Sequence, residues 1–323
     1  MRFRNFRWIL LLLATGPLLP TTAVAAEPRV VASIRPIHSL VAGVMQGVRE
    51  PVLLLSGASS PHDYSLRPSD ARALEDATAI FWVGEGLEGF LAKPLGTLAG
   101  DARIVALSEA EGVVLLPARA GGIRHQQAHE EEPHAEEHEH EHEDEHEHGA
   151  HDMHLWLDPH NAVAMVDAIV SALVTVDPGN GARYAANGRE LQQRLEALDE
   201  ALRDQLAPVA DRPFVVFHDA YQYFVRRYGL NEVGSITVDP QRRPGAQRLT
   251  EIRARLRELA AACVFAEPQF EPALVDTVVE GSAARKGVLD PLGATLEAGP
   301  DQYFELLEAL AGALVACLDG RSG

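Results

Sequence analysis

The stretch FVVFHDAYQYFVRRYG, Phe214–Gly229, is the most telling part of the chain. Four apolar residues, Phe214–Phe217, run without a polar break, as in a strand covered on both faces. A helical stretch, Ala220–Tyr228, follows, and Gly229 stands where a helix C-terminus favours glycine. The same alternation continues downstream. Strands are predicted at Glu232–Ile236, Cys263–Ala266 and Val288–Leu289, and helices at Leu249–Leu259, Pro272–Ala283 and Tyr303–Leu318. Upstream, strands are predicted at Val30–Ile34, Val52–Leu55, Ala79–Val83 and Ile104–Leu107. Helices fit between them, one at Ser69–Asp76 with Ser69 as its N-cap. Such alternation predicts an α/β protein with two Rossmann-like lobes, each built on a parallel four-stranded sheet.

The segment between the two halves is helical. Asp158-Pro159 reads as an N-cap with proline at the first helical position. Val163, Val166, Val170 and Leu173 then fall on one helix face. From Gly181 to Leu206 there is no proline, and Leu191, Leu195, Leu198, Leu202 and Leu206 form a stripe. A helix over that range is roughly 40 Å long, long enough to join two lobes as a stiff strut. The expected division is a first lobe over residues 27–178, a linking helix over 179–210 and a second lobe over 211–323. No short sequence repeat relates the lobes.

The N-terminus reads as an export signal. Arg2, Arg4 and Arg7 precede an apolar run from Trp8 to Leu19, and Ala23-Val24-Ala25 offers a cleavage site, with Ala26 as the neighbouring option. The apolar run is short for a membrane span, and no other stretch approaches the required length of about 20 residues. Residues 1–26 are therefore expected to be removed, leaving a soluble protein in the periplasm. An uncleaved anchor is the alternative. The formal charge of −19 excludes a basic nucleic-acid footprint and suits a cationic ligand. The two cysteines, Cys263 and Cys317, read as a disulfide in an exported chain, with two buried thiols as the alternative.

Residues 125–151 carry nine of the fourteen histidines and eleven acidic residues. A solvated acidic linker would explain the charge but not the interleaved imidazoles. Imidazole suits zinc, copper, nickel and iron. His134, His138, His140, His142, His146 and His148 are expected to be the accessory metal-capturing residues of this tract. A tract so polar is expected to stay flexible and to lack a fixed geometry, so the main site lies elsewhere.

Five histidines lie outside it: His38, His62, His154, His160 and His218. His62 follows the second strand, His218 ends the strand Phe214–Phe217, and His154 lies where the chain returns from the tract. Asp290 sits at another strand end, in Gly287–Pro291. Carboxyl ends of strands are where α/β lobes bind ligands. Three imidazoles and one carboxylate suffice for a tetrahedral Zn²⁺ site in the cleft between lobes. His38 is the competitor, and His160 is expected on a helix surface. His218 or Asp219 could instead cap the next helix.

Several segments carry a resemblance: GASSPHDYSLRPSD (57–70), DMHLWLDP (152–159), FVVFHDAYQY (214–223), PGAQRL (244–249), CVFAEPQ (263–269) and LDPLG (289–293). With the His/Glu tract they resemble the periplasmic zinc-binding components of bacterial high-affinity zinc ABC uptake systems, within a cluster that also serves manganese. The resemblance implies two α/β lobes joined by a rigid helix, with a metal cleft between them. It implies His62, His154 and His218 as ligands, Asp290 or a water as the fourth, and a Cys263–Cys317 disulfide. A glutamate preceding the first ligand histidine in some members is Pro61 here. The implied partners are a zinc permease and its ATPase, with no nucleic acid, no membrane contact except through the permease, and a monomer expected.

The implied function is capture of Zn²⁺ and its delivery to the permease, not enzymatic turnover. A manganese-type binding protein, a zinc hydrolase and a transporter-independent metal buffer are the alternatives. The hydrolase lacks an HExxH pattern and a clear general base.

Overall fold

The computed structural model describes residues 28–57, 59–119, 151–237, 245–258, 260–270 and 273–320. The expected signal segment and the six accessory histidines lie outside these residues. In the first half, β1 (Val30–Ala32), α1 (Arg35–Val44), β2 (Val52–Leu53), α2 (Pro68–Glu75), β3 (Ala79–Trp82), α3 (Gly89–Leu98) and β4 (Arg103–Ala106) alternate along the chain. A hairpin of β5 (Leu116–Pro117) and β6 (His151–Asp152) follows, then α4 (Pro159–Val176) and α5 (Gly181–Leu206). The second half contains β7 (Phe214–His218), α6 (Gln222–Tyr228), β8 (Glu232–Thr237), α7 (Ala246–Glu258), β9 (Cys263–Ala266), α8 (Ala273–Val279), β10 (Arg285–Val288) and α9 (Gln302–Leu318).

Two all-parallel four-stranded sheets result, ordered β2-β1-β3-β4 and β10-β9-β7-β8. Alternation of side chains across each strand sorts residues between layers. Val31, Ile80 and Trp82 face outward under α2 and α3, in a small cluster with Leu74 and Leu91. Val215, Phe217 and Val264 face outward under α7 and α8, with Ile252 and Val278. Val30, Ala32, Phe81, Phe214, Val216 and Phe265 face inward and meet α1, α4, α5 and α9 in one apolar cluster that spans both lobes. The long helix α5 has 26 residues, and its stripe from Leu191 to Leu206 is buried, as the sequence pattern predicts.

Two local expectations and one alternative are corrected. Ser69 does not cap α2. Pro68 takes the first helical position, Arg67 precedes it, and Asp70 accepts the Arg67 N–H at 2.8 Å. Neither His218 nor Asp219 caps α6, whose N-cap is Tyr221. The 18-residue α4, with mean hydropathy 1.4, does reach the length and composition of a span. Its Ala162, Met165, Val166, Ile169 and Leu173 are buried in the shared core. The Asp158 cap is as expected, its carboxylate accepting the His160 N–H at 2.9 Å.

Candidate metal centre

Three of the five isolated histidines converge where the carboxyl ends of both sheets face each other. His62 lies in the turn following β2, His154 immediately precedes the 3-10 turn Leu155–Leu157, and His218 is the last residue of β7. Each offers a ring nitrogen, and these atoms lie within 4.8 Å of one another. Ring centroids are 5.5 Å apart for His62 and His154, 5.2 Å for His62 and His218, and 4.8 Å for His154 and His218. Tetrahedral zinc with bonds of about 2.0–2.1 Å holds its nitrogens roughly 3.3 Å apart, so the rings close further as they take up an ion.

The His62 ring is kept neutral, and the other two are buried. Burial, reinforced by His154 and His218, pushes the His62 imidazole down to about 2. His154 is 7% exposed and His218 3%. Neutral imidazole is the metal-binding form, so His62 need not shed a proton at neutral pH. The cavity they line, with Trp156, Phe270 and Leu292, is about 10 Å³ in volume. That is space for one water-sized atom. Trp156 closes one wall and is pinned across the lobes by its indole N–H on the Pro291 carbonyl at 2.8 Å.

The structure does not bring Asp290 into this trio. Its Oδ1 accepts from Gln269 Nε2 at 2.7 Å and from the Leu292 and Gly293 N–H groups at 3.1 Å each, and its Oδ2 accepts from the Ala294 N–H at 2.6 Å. Four donors lock it into the turn after β10. His38 is also excluded, being a core residue of α1 with Nε2 3.0 Å from the Pro51 carbonyl. His160 is exposed in the first turn of α4, as expected.

Sequence reading missed two carboxylates beside the trio. Asp152 Oδ1 accepts from the His154 backbone N–H at 3.0 Å and lies 2.7 Å from His154 Nδ1. Glu267, 4% exposed, lies with Oε2 3.5 Å from His218 Nδ1. The Tyr221 hydroxyl faces Glu267, and burial together with that charge pushes it well above its usual range. Both carboxylates sit inside quoted motifs, DMHLWLDP and CVFAEPQ, but nothing in their spacing reveals which ring each meets.

Two α/β lobes sharing a helical layer, with a histidine cluster between them that could hold a metal ion, define the class as a two-lobed α/β protein with a candidate metal cleft. Comparison with known proteins agrees. The profile of the family described as zinc-uptake complex component A, periplasmic, or ZnuA, matches residues 30–317. The chain belongs to that family. The high-affinity zinc uptake system protein ZnuA of Brucella abortus strain 2308 is 48% identical over 304 residues, covering 90% of this chain and 91% of its own. That of Yersinia pestis is 40% identical over 309 residues, covering 95% and 96%. Among solved structures, a zinc-bound ZnuA deletion mutant superposes with a TM-score of 0.74 at 24% identity, covering 92% of this chain and 100% of its own. The periplasmic zinc-binding protein TroA of Treponema pallidum gives 0.73 at 24%, covering 90% and 99%. These last two bear on the fold alone, and their two lobes and long helix match it.

The disulfide expected between Cys263 and Cys317 is present, with a Cα–Cα distance of 6.2 Å, joining β9 to the end of α9. His151, the last residue of the expected flexible tract, belongs to β6 and pairs with Pro117.

Proposed function

We propose that this protein captures Zn²⁺ in the periplasm, after export on its N-terminal segment, and delivers it to an ABC-type permease driven by a cytoplasmic ATPase. His62, His154 and His218 bind the ion, and an oxygen ligand, water or a displaced Asp290, completes the site. The carrying observation is the convergence of these three imidazoles from distant points of the chain on a cavity sized for one ion. Three nitrogen donors favour zinc over manganese, whose sites take more carboxylate oxygen. Buried acidic groups around the cleft, Asp152 and Glu267 among them, add the attraction a cation requires. The sequence lacks the HExxH pattern of many zinc hydrolases, which speaks against that reading. The boundaries of the working unit follow the sequence division: lobe 27–178, linking helix 179–210, lobe 211–323, acting as a monomer. The tract 125–151 binds further zinc weakly and at several sites.

Competition titration with a chromogenic zinc chelator tests this reading. Alanine at His62, His154 or His218 is expected to abolish the tight phase. Deletion of residues 125–151 is expected to leave that phase and remove only weaker binding. Loss of the tight phase on deletion alone would move the main site into the tract. Rescue of growth in zinc-poor medium, dependent on the permease, separates delivery from simple buffering.

A further inference from the structure

The β5–β6 hairpin is bound into the cleft from three directions. Leu116 pairs with Asp152, and Pro117 with His151, so the two ends of the chain leaving and re-entering the His/Glu tract are held together. From the second lobe, Tyr223 of α6 inserts its hydroxyl between them. It accepts the Leu116 N–H at 2.9 Å and donates to the Asp152 carbonyl at 2.6 Å. Two residues past β5, Arg119 forms a two-pronged ion pair with Asp219, one prong at 3.1 Å, and reaches Glu232 Oε2 at 3.3 Å. Asp219 directly follows His218. The hairpin therefore ties the segment bearing one ligand to the strand end bearing another.

At the centre of this arrangement stands the Asp152 side chain, 8% exposed. Its Oδ1 meets both the backbone N–H and Nδ1 of His154. An ionised carboxylate only accepts, so Nδ1 must carry the ring proton. The lone pair then resides on Nε2. A carboxylate behind an imidazole also raises the basicity of the far nitrogen and fixes the plane of the ring.

We propose that Asp152 is a positioning residue for metal capture, fixing the tautomer and orientation of His154, and that Tyr223 holds it there across the lobe boundary. The inference rests on His154 being a ligand. It makes the hairpin at the root of the tract a determinant of cleft affinity, independent of any ion the tract itself binds. Tyr223 acts through the hairpin, and Arg119 through the hairpin and Asp219.

The test uses the full-length chain carrying Asp152→Asn, Asp152→Ala, Tyr223→Phe, the Asp152→Ala/Tyr223→Phe pair, or His154→Ala. Zinc affinity is read by chelator competition, and coordination by the ligand-field absorption of bound Co²⁺. Both Asp152 variants are expected to weaken zinc by roughly 10- to 100-fold and to change the cobalt spectrum. Tyr223→Phe is expected to weaken zinc less, with the double variant losing less than the product of the single losses, as groups acting through one contact do. A folded Asp152→Asn protein with unchanged affinity and cobalt spectrum overturns the proposal, as do independent, multiplicative losses in the pair. Unchanged affinity in His154→Ala is a separate result, since it overturns the ligand assignment instead.

Discussion

A single buried acid illustrates how this chain reconciles charge with burial. Glu88, at the entrance to α3, is fully buried and accepts the Val83 N–H at 2.7 Å and the Gly84 N–H at 3.1 Å. Burial pushes its carboxyl up to about 7, against the smaller opposing effect of its hydrogen bonds. The native state thus holds a proton that the unfolded chain releases above about pH 4.5. Stability from this group is present below that value and is lost as pH rises toward 7. Urea unfolding of wild type and Glu88→Gln should show the difference, wild type minus variant, falling across this window by about 3 kcal/mol at most. A pH-independent difference would refute it. At the same scale, the three converging histidines were legible because each stood next to a recognisable strand end or motif. Asp290 was not, because a carboxylate before proline serves equally as a ligand or as a turn acceptor. Here the Leu292, Gly293 and Ala294 amides hold it in the turn, and service as a ligand requires it to leave them.

Elements were legible where burial imposes a period, and blurred where it does not. The Leu191–Leu206 stripe gave α5 its full length. β10 was expected at Val288–Leu289 but runs over Arg285–Val288. It is the edge strand beside β9, and its mostly exposed, basic start carries no apolar signal. α8 was expected to reach Ala283 but stops at Val279, two residues before Gly281, whose φ of 74° no helix accommodates. The α4–α5 contact hides another feature from pattern reading. Gly188 of α5 faces Val170 of α4 so closely that an added Cβ would lie 2.5 Å from Val170 Cγ2. Gly188→Val should therefore lower unfolding stability by about 1–3 kcal/mol, read from the urea midpoint. An unchanged midpoint would mean the helices separate at no cost.

Across the whole molecule, α/β alternation announced two lobes, but not how they join. The contacts that join them, Tyr223 to the hairpin and the Trp156 indole to Pro291, link residues far apart in sequence and leave no periodic trace. The Cys263–Cys317 bond closes a separation of 54 residues within the second half. Loop-closure entropy predicts a loss of about 4 kcal/mol when both cysteines become alanine. Because neither residue lines the cleft, the tight zinc phase should survive in the folded double variant, as chelator titration would show. Loss of zinc binding in a still-folded protein would contradict that separation of roles.

One apolar interior, running unbroken from β1 through α4, α5 and α9 to β9, serves both halves. Wide parting of the halves would expose that oil to water, and each Å² of apolar surface so wetted costs about 25 cal/mol. Heating should accordingly give one calorimetric peak for the pair, not two. With the halves held together, movement at the rim, where short turns carry His62 and His154, is the smaller motion that opens the cleft. An acceptor would draw the ion out through that lip while the spine behind it holds its shape.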